Sequence, residues 1–385
     1  MEIYFDNGAT TQPTEQVVQK MTEVLTEAYG NPSSLHRKGQ EAERYVVEAR
    51  KTIAEALHVP VETIYFTSGA TESSNTALLG VAARAGKKRH ILAAKGEHPA
   101  TGDTLKRLAE QGFEIEYLDL DPCGRVRLES LKEKIRPDTL LVTCMHVNNE
   151  TGIIHPIDQM GIVIHEAAPD CVFHVDAVQS FGKLPIDPVG WHIDLMSTSA
   201  HKIHGPKGIG FLYIRKGLYL PPLLTGGGQE RRFRSGTENV PGIAGFGQAV
   251  KEAYEDMAGH ASHMQGLKAL LYQSLSEQIE GVSVNGAPIE ETAPHVLNLY
   301  IQDVRSEVLL HTLEDYGIYI SSGSACASNK PEEKSPALSA LGLDAKAIDS
   351  SIRVSFSRYN TREEVLEFVR VMTQVVPMLR RFKRR

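Results

Sequence analysis

The sequence predicts an α/β protein, with a large domain built on a mainly parallel, doubly wound sheet and a smaller α+β domain beside it. Three observations carry this. Short apolar runs alternate with amphipathic segments from about residue 45 to 215, the pattern of βα units. A Gly-rich stretch, Thr225–Thr237, ends that alternation, and the chain beyond it mixes helices and strands without a βα repeat. At 385 residues the chain is long enough to bury one large core and a smaller one.

The strands of the large domain are expected at Thr63–Phe66, His90–Ala94, Glu114–Leu118, Leu140–Met145, Val172–Val175, Leu195–Ser197 and Ile209–Ile214. Helical patterns lie between several of them, at Glu41–Leu57, Ala100–Gln111 and Ile157–Ala167. The connection from Leu195 to Ile209 is too short for a helical crossover, so at least one strand is expected to run antiparallel. After the Gly-rich stretch one long helix is expected over Ile243–Ile279, then strands at Val296–Ile301 and Ile352–Phe356. Gly8–Thr11 precedes the first long helix, which returns the N-terminus to the smaller domain. The expected division is residues 16–257 for the large domain, and 1–15 with 258–385 for the small one.

Hydrophobic content of 41% and charged content of 23% are those of a soluble globular protein. No apolar run reaches the roughly 18 residues of a membrane span. The first residues, Met1–Asp6, lack the basic and apolar parts of a signal peptide. A net charge of −7 argues against direct nucleic-acid binding. The basic run Arg380–Arg385 is the local exception, either a solvated end or a dock for an acidic or RNA-bound partner. Four cysteines fit no metal spacing and imply no disulfide framework, so a reducing cytoplasm is the expected compartment.

Lys202 lies in Ser197-Thr-Ser-Ala-His-Lys-Ile-His-Gly-Pro206, where a strand delivers it among small residues and histidines. Such shielding suits an amine that loses its proton and forms a Schiff base. Asp176 ends the apolar strand of His174-Val-Asp-Ala-Val-Gln179. Lysine with a strand-end aspartate is the pairing pyridoxal phosphate needs, one to bind its aldehyde and one to keep its ring nitrogen protonated.

Phe66–Asn75 reads as strand, Gly-bearing turn and helix, with Ser68 and Thr71 as hydroxyl donors. It is either an ordinary capped helix or a phosphate cup of free backbone N–H groups. It lacks the Gly-Lys-Ser/Thr of a nucleotide P-loop. His98 can lie over a flat cofactor or sit on the surface. Asn149 in Met145–Gly152, and Gln179, can bond a phenolic oxygen. His98, Asn149, Asp176 and Lys202 each follow a strand end, where ligands gather in open α/β sheets. Cys144 and Cys171 fall in or beside apolar strands, and Cys123 in a turn. Cys326, in Ser321-Ser-Gly-Ser-Ala-Cys-Ala-Ser-Asn-Lys330, has only small or polar neighbours, the setting of a reactive thiol. Arg353, on a strand-like run, either holds a carboxylate substrate or closes an internal salt bridge.

These residues resemble the cysteine desulfurases of the NifS/IscS type, in the class V group of fold-type I pyridoxal phosphate enzymes. The resemblance runs through Asp6–Thr11, Gly30–His36, Thr67–Asn75, Glu97-His98, Asn148–Glu150, Val175–Ala177 with Gln179, and Ser199–Lys202. It continues in Arg234–Thr237, Ser321–Cys326 and Ser351–Arg353. It implies Lys202 as the Schiff-base lysine, Asp176 at the ring nitrogen, and Gln179 and Asn149 at the ring substituents, with His98 stacked on the ring. Ala70, Thr71, Ser199 and His201 are implied around the phosphate, and Thr237 at the phosphate of a second subunit, which makes a homodimer. Arg353 and Asn31 are implied at the carboxylate of L-cysteine, and Cys326, on a loop of about residues 321–335, as the persulfide carrier. Gly8 stands where alanine is usual and Ala327 where threonine is frequent.

The implied reaction removes sulfur from L-cysteine, releases L-alanine and leaves a persulfide for an acceptor protein. The acceptor is open among a tRNA thiolation enzyme, an iron–sulfur scaffold and a thio-cofactor carrier. No metal is expected. A selenocysteine lyase, a class V aminotransferase and a non-catalytic sulfur carrier are the rival readings.

Overall fold

The computed structural model describes residues 2–322 and 335–381. Its centre is a seven-stranded sheet. From one edge to the other the strands are Ile64–Thr67, Gly210–Ile214, Leu195–Ser197, Val172–Asp176, Thr139–Met145, His90–Ala94 and Glu114–Leu118. Gly210–Ile214 is antiparallel to both its neighbours, and the other six run one way. The short connection after Leu195–Ser197 produces that one reversal, as the sequence predicts.

Both faces of the sheet are covered, which is why its strands read as continuous apolar runs. Alternate residues of one strand feed two cores: Leu92 and Ala94 pack with the helices Glu15–Thr26, Arg37–Ala56, Ile157–Ala167 and Val240–Glu255. Ile91 and Ala93 pack with the helices Ala70–Ala82 and Pro99–Glu110.

A second, antiparallel sheet orders Ser321–Ser322, Ser351–Ser355, Val296–Ile301 and Val282–Val284. Its apolar face packs with the helices Met257–Gln278 and Arg362–Arg381. The N-terminal strand Ile3–Tyr4 pairs in parallel with Ile318–Tyr319, and Ile3 and Phe5 join this second core. No described helix is long and apolar enough to cross a membrane.

The single helix expected over Ile243–Ile279 is two, Val240–Glu255 and Met257–Gln278. Asp256 leaves helical geometry, at φ −145° and ψ 56°, and its carboxylate accepts from the Gly259 N–H. The break is a capping event that apolar periodicity does not report. At the C-terminus Arg380 is not a free charge. Its guanidinium donates to the carbonyls of Gln302 and Glu280, at 3.0 and 2.7 Å. The rest of the basic run beyond Arg381 lies outside the described residues.

The large core also holds three buried neutral histidines. Burial pushes His174 down to about 3, and His146 and His155 down to about 4. An unfolded chain has histidines near 6.5, so it binds more protons than the folded one once the pH falls below that value. The stability these residues contribute is complete above about pH 6.5 and is lost as pH falls toward 4. At pH 5 each costs about 2 kcal/mol. Glu97, pushed up to about 8, works the other way: its folded form keeps a proton that the unfolded chain releases above about pH 4.5. Buried histidines outnumber the buried carboxyls shifted the other way, which predicts a urea midpoint lower at pH 5 than at pH 7. Equal midpoints would contradict the burial of these imidazoles.

Candidate active site

Six strands share one direction, so their carboxyl ends share one edge of the sheet. At that edge lies a cavity of about 820 Å³, lined among others by His98, Asn149, Asp176, Gln179, Lys202 and Arg353. Ser68, Ala70, Thr71, Ser199 and His201 line it too. The sequence-predicted groups therefore converge: His98, Asn149, Asp176, Gln179 and Lys202 come from the ends of the large sheet's strands, and Arg353 from the strand Ser351–Ser355 of the second sheet.

Lys202 ends a short 3₁₀ turn, Ala200–Lys202. Its Nζ donates to the carbonyls of Gly8 and Ala9, both at 2.6 Å. These acceptors come from the N-terminal segment, which crosses the mouth of the sheet. Gly8 also lets this segment pack closely on the second sheet. A Cβ added there would lie 3.0 Å from Ser355 Oγ and 3.4 Å from Arg353 Cζ.

Asp176 is buried at the end of its strand, and Oδ1 accepts from the Val178 N–H at 2.9 Å. Burial raises its pKa, against the pull of His98 and Lys202. His98 caps the Pro99–Glu110 helix, its Nδ1 accepting from the Ala100 N–H at 3.1 Å. Burial lowers its pKa. A neutral imidazole that accepts at Nδ1 carries its hydrogen at Nε2, so the cap fixes both tautomer and ring orientation.

The helix Ala70–Ala82 starts after Gly69, at φ 151°, with no side-chain cap. A positive φ there selects glycine, and the bare first turn leaves backbone N–H groups facing the cavity. Glu72 in that turn is held aside: it accepts from the Ser68 N–H and pairs with Arg234 at 2.9 Å. His201, pushed down to about 4 mainly by burial and then by Lys202, lies within hydrogen-bond distance of Thr10 Oγ1 at 3.1 Å.

Arg353 closes the internal salt bridge that one sequence reading expects, and it also lines the cavity. Nη2 pairs with Asp6 at 2.8 Å and donates to Ser321 Oγ at 3.1 Å, while Nη1 donates to the Asn149 carbonyl at 2.8 Å. Its Nε is buried without a partner. The guanidinium is thus fixed at the cavity wall by an internal ion pair, with a donor to spare.

Two expected residues stand elsewhere. Asn31 is exposed and does not line the cavity; its side-chain oxygen closes a turn onto the Ser33 N–H at 2.9 Å. This corrects its expected place beside Arg353 within one chain. Thr237 is exposed and also outside its own chain's cavity. Cys326 lies outside the described residues. Among the described residues no thiol lines the cavity. Burial raises Cys144 well above the ordinary thiol range and Cys171 to about 12.

Three contributors escaped the sequence reading. Asp6 is the partner of Arg353 from 347 positions away. Asn148 gathers the Glu150 and Thr151 N–H groups onto its own oxygen, which shapes the turn carrying Asn149. Glu97 is buried; one oxygen accepts from the Met145 N–H at 2.6 Å and the other has no partner. Burial and then Asp176 raise it to about 8. The sequence marked it only as the neighbour of His98 in the Glu97-His98 motif, with no role of its own.

The arrangement fits pyridoxal phosphate. The cavity pairs an amine with a buried carboxyl that receives only one N–H here, so a cationic ring nitrogen is the partner it lacks. The uncapped helix start supplies anion donors at the same wall.

Comparison with known proteins agrees with this geometry. The aminotransferase class-V family model matches residues 3–368. A cysteine desulfurase IscS of Methanosarcina thermophila is 42% identical over 379 residues, 98% of this chain and 93% of its own. A solved NifS-like protein superposes with a TM-score of 0.93 at 39% identity, over 98% of this chain and 100% of that one. A structure described as SspA in complex with cysteine superposes with a TM-score of 0.81 at 34% identity, over 94% of this chain and all of that one.

Proposed function

The chain belongs to the aminotransferase class-V family, and on that premise we propose that it is a pyridoxal phosphate-dependent cysteine desulfurase, converting L-cysteine to L-alanine with a persulfide left on Cys326. The observation that carries the reading is the convergence of Lys202, Asp176, His98 and Arg353 on one cavity. Relatives named cysteine desulfurase match almost the whole chain, and one solved relative is described with cysteine bound.

When bound, the cofactor supplies an aldehyde that condenses with amines and a conjugated ring that takes up an electron pair. Lys202 would hold the aldehyde, since its amine lies in the cavity wall. Its amine must first leave the Gly8 and Ala9 carbonyls to which it donates. Once released it moves the proton of the substrate Cα. Asp176 would hold the ring nitrogen, and His98 would flank the ring. Ala70, Thr71, Ser199 and His201 hold the phosphate, with Thr237 reaching across from a second subunit of a homodimer. Arg353 would meet the substrate carboxylate at the cavity wall while Asp6 keeps the guanidinium in place. The Cys326 thiolate then attacks the substrate sulfur. An S–S bond forms as the C–S bond breaks, and the carbon skeleton gains protons and leaves as alanine. The persulfide passes to a sulfur-acceptor protein.

The test is turnover. Purified protein supplied with pyridoxal phosphate, cysteine and a thiol reductant should release alanine and sulfide in equal amounts. Amino transfer to a keto acid without sulfide would favour the aminotransferase instead. Turnover of selenocysteine alone would identify a selenocysteine lyase.

Arg353 yields a narrower expectation. A bidentate guanidinium contact is not reproduced by an ammonium. Arg353→Lys should raise KM for cysteine about tenfold with cofactor content unchanged. An unaltered KM would leave Arg353 as the partner of Asp6 alone.

A further inference from the structure

His295 touches the candidate site only through another residue. It precedes the strand Val296–Ile301 of the second sheet, and its carbonyl is fixed by the Phe356 N–H at 2.9 Å. The side chain is fully buried. Its Nε2 lies 3.1 Å from Gln179 Oε1, and Nδ1 has no partner. Gln179 in turn lines the cavity and donates from Nε2 to the Gly8 carbonyl at 2.9 Å.

This chain of hydrogen bonds has one consistent polarity. The Gly8 carbonyl can only accept, so the nitrogen of the Gln179 amide faces it. The amide oxygen therefore faces His295, which must donate, so the imidazole carries its hydrogen on Nε2. Turning the amide over would set two oxygens against each other at Gly8. It would also force the hydrogen onto Nδ1, where a buried donor would have no acceptor. Protonation is equally disfavoured. Burial, and then Lys183, Lys268, Lys202 and Arg353, all act to keep the ring neutral.

We propose that His295 is a positioning residue: it locks the Gln179 amide with its oxygen turned from the cavity and its nitrogen presented, so that the site favours an oxyanion over a hydroxyl beside Gln179. Under the reading of this cavity as a pyridoxal phosphate site, on which the inference rests, that oxyanion is the ring's phenolate. The amide has one remaining hydrogen to offer and no acceptor. A phenolate matches it, whereas a phenol hydrogen finds no partner there.

The first test needs neither cofactor nor mutation. In the cofactor-free protein labelled with ¹⁵N-histidine, NMR should show His295 as the neutral Nε2–H tautomer throughout the pH range of stability. The other tautomer, or an imidazolium, overturns the proposal. In the loaded enzyme, His295→Leu should raise the pH midpoint of the cofactor's visible spectral change by about one unit. It should also weaken cofactor binding about tenfold. His295→Asn, which keeps an N–H donor, should recover most of both. Gln179→Leu should reproduce the shift, and the double variant should add nothing further. A His295→Leu enzyme that titrates and binds like the unchanged one overturns the inference, as does additivity with Gln179→Leu. Failure of the unchanged protein to bind pyridoxal phosphate at all overturns the proposed function, while the tautomer still decides the role of His295 in orienting Gln179.

Discussion

Replacing Lys202 with alanine abolishes turnover and the visible absorbance of covalently held cofactor, while the fold and noncovalent cofactor binding survive. The expectation rests on where the lysine sits. Its amine donates to the backbone carbonyls of Gly8 and Ala9. Both belong to a segment that lines an open cavity, where water can take the place of the amine. The structural cost is therefore small, about 1–2 kcal/mol. The chemical cost is total, because among the described residues the cavity's one other lysine is Lys207, which is exposed beyond the Gly-Pro turn. Absorbance, cofactor content and alanine production, measured together, separate the two effects. Normal activity would remove Lys202 from the mechanism.

Cys326→Ser fails differently. Cofactor and cysteine should still bind, and sulfide and persulfide should both disappear. The argument is by elimination among thiols. Cys144 and Cys171 are buried and held protonated, and Cys123 is half-buried in a turn that does not line the cavity. None can present a thiolate to a substrate held by Arg353. Sulfide release that survives Cys326→Ser but not Cys123→Ser would reverse the assignment.

Much of this was legible in the chain. The strands His90–Ala94, Glu114–Leu118, Leu195–Ser197 and Val296–Ile301 have the bounds their apolar runs predict. Burial on both faces leaves an apolar run of the strand's own length in His90–Ala94 and Leu195–Ser197, while the edge strand Glu114–Leu118 keeps exposed residues. The strand ends then fixed the place of His98, Asn149, Asp176 and Lys202, because a parallel sheet puts all such ends on one edge. What stayed hidden depends on pairing across the chain. Asp6 meets Arg353, and Gly8 meets Lys202 and Gln179, only after the N-terminus has folded over the sheet. His295 had no sequence mark at all, since its function is to donate one hydrogen to a residue 116 positions away. The helix break at Asp256 was missed because apolar periodicity continues through it while the backbone does not. Asn31 owed its expected role to resemblance alone, and within one chain its side chain serves a local turn.

The most direct test of the central claim is a single turnover without reductant. Cysteine is added to loaded enzyme, alanine is counted, and the protein is digested and weighed peptide by peptide. The account predicts one alanine per subunit and one added sulfur atom on the peptide that carries Cys326. Alanine without sulfur on that peptide, or a keto acid in place of alanine, would contradict it.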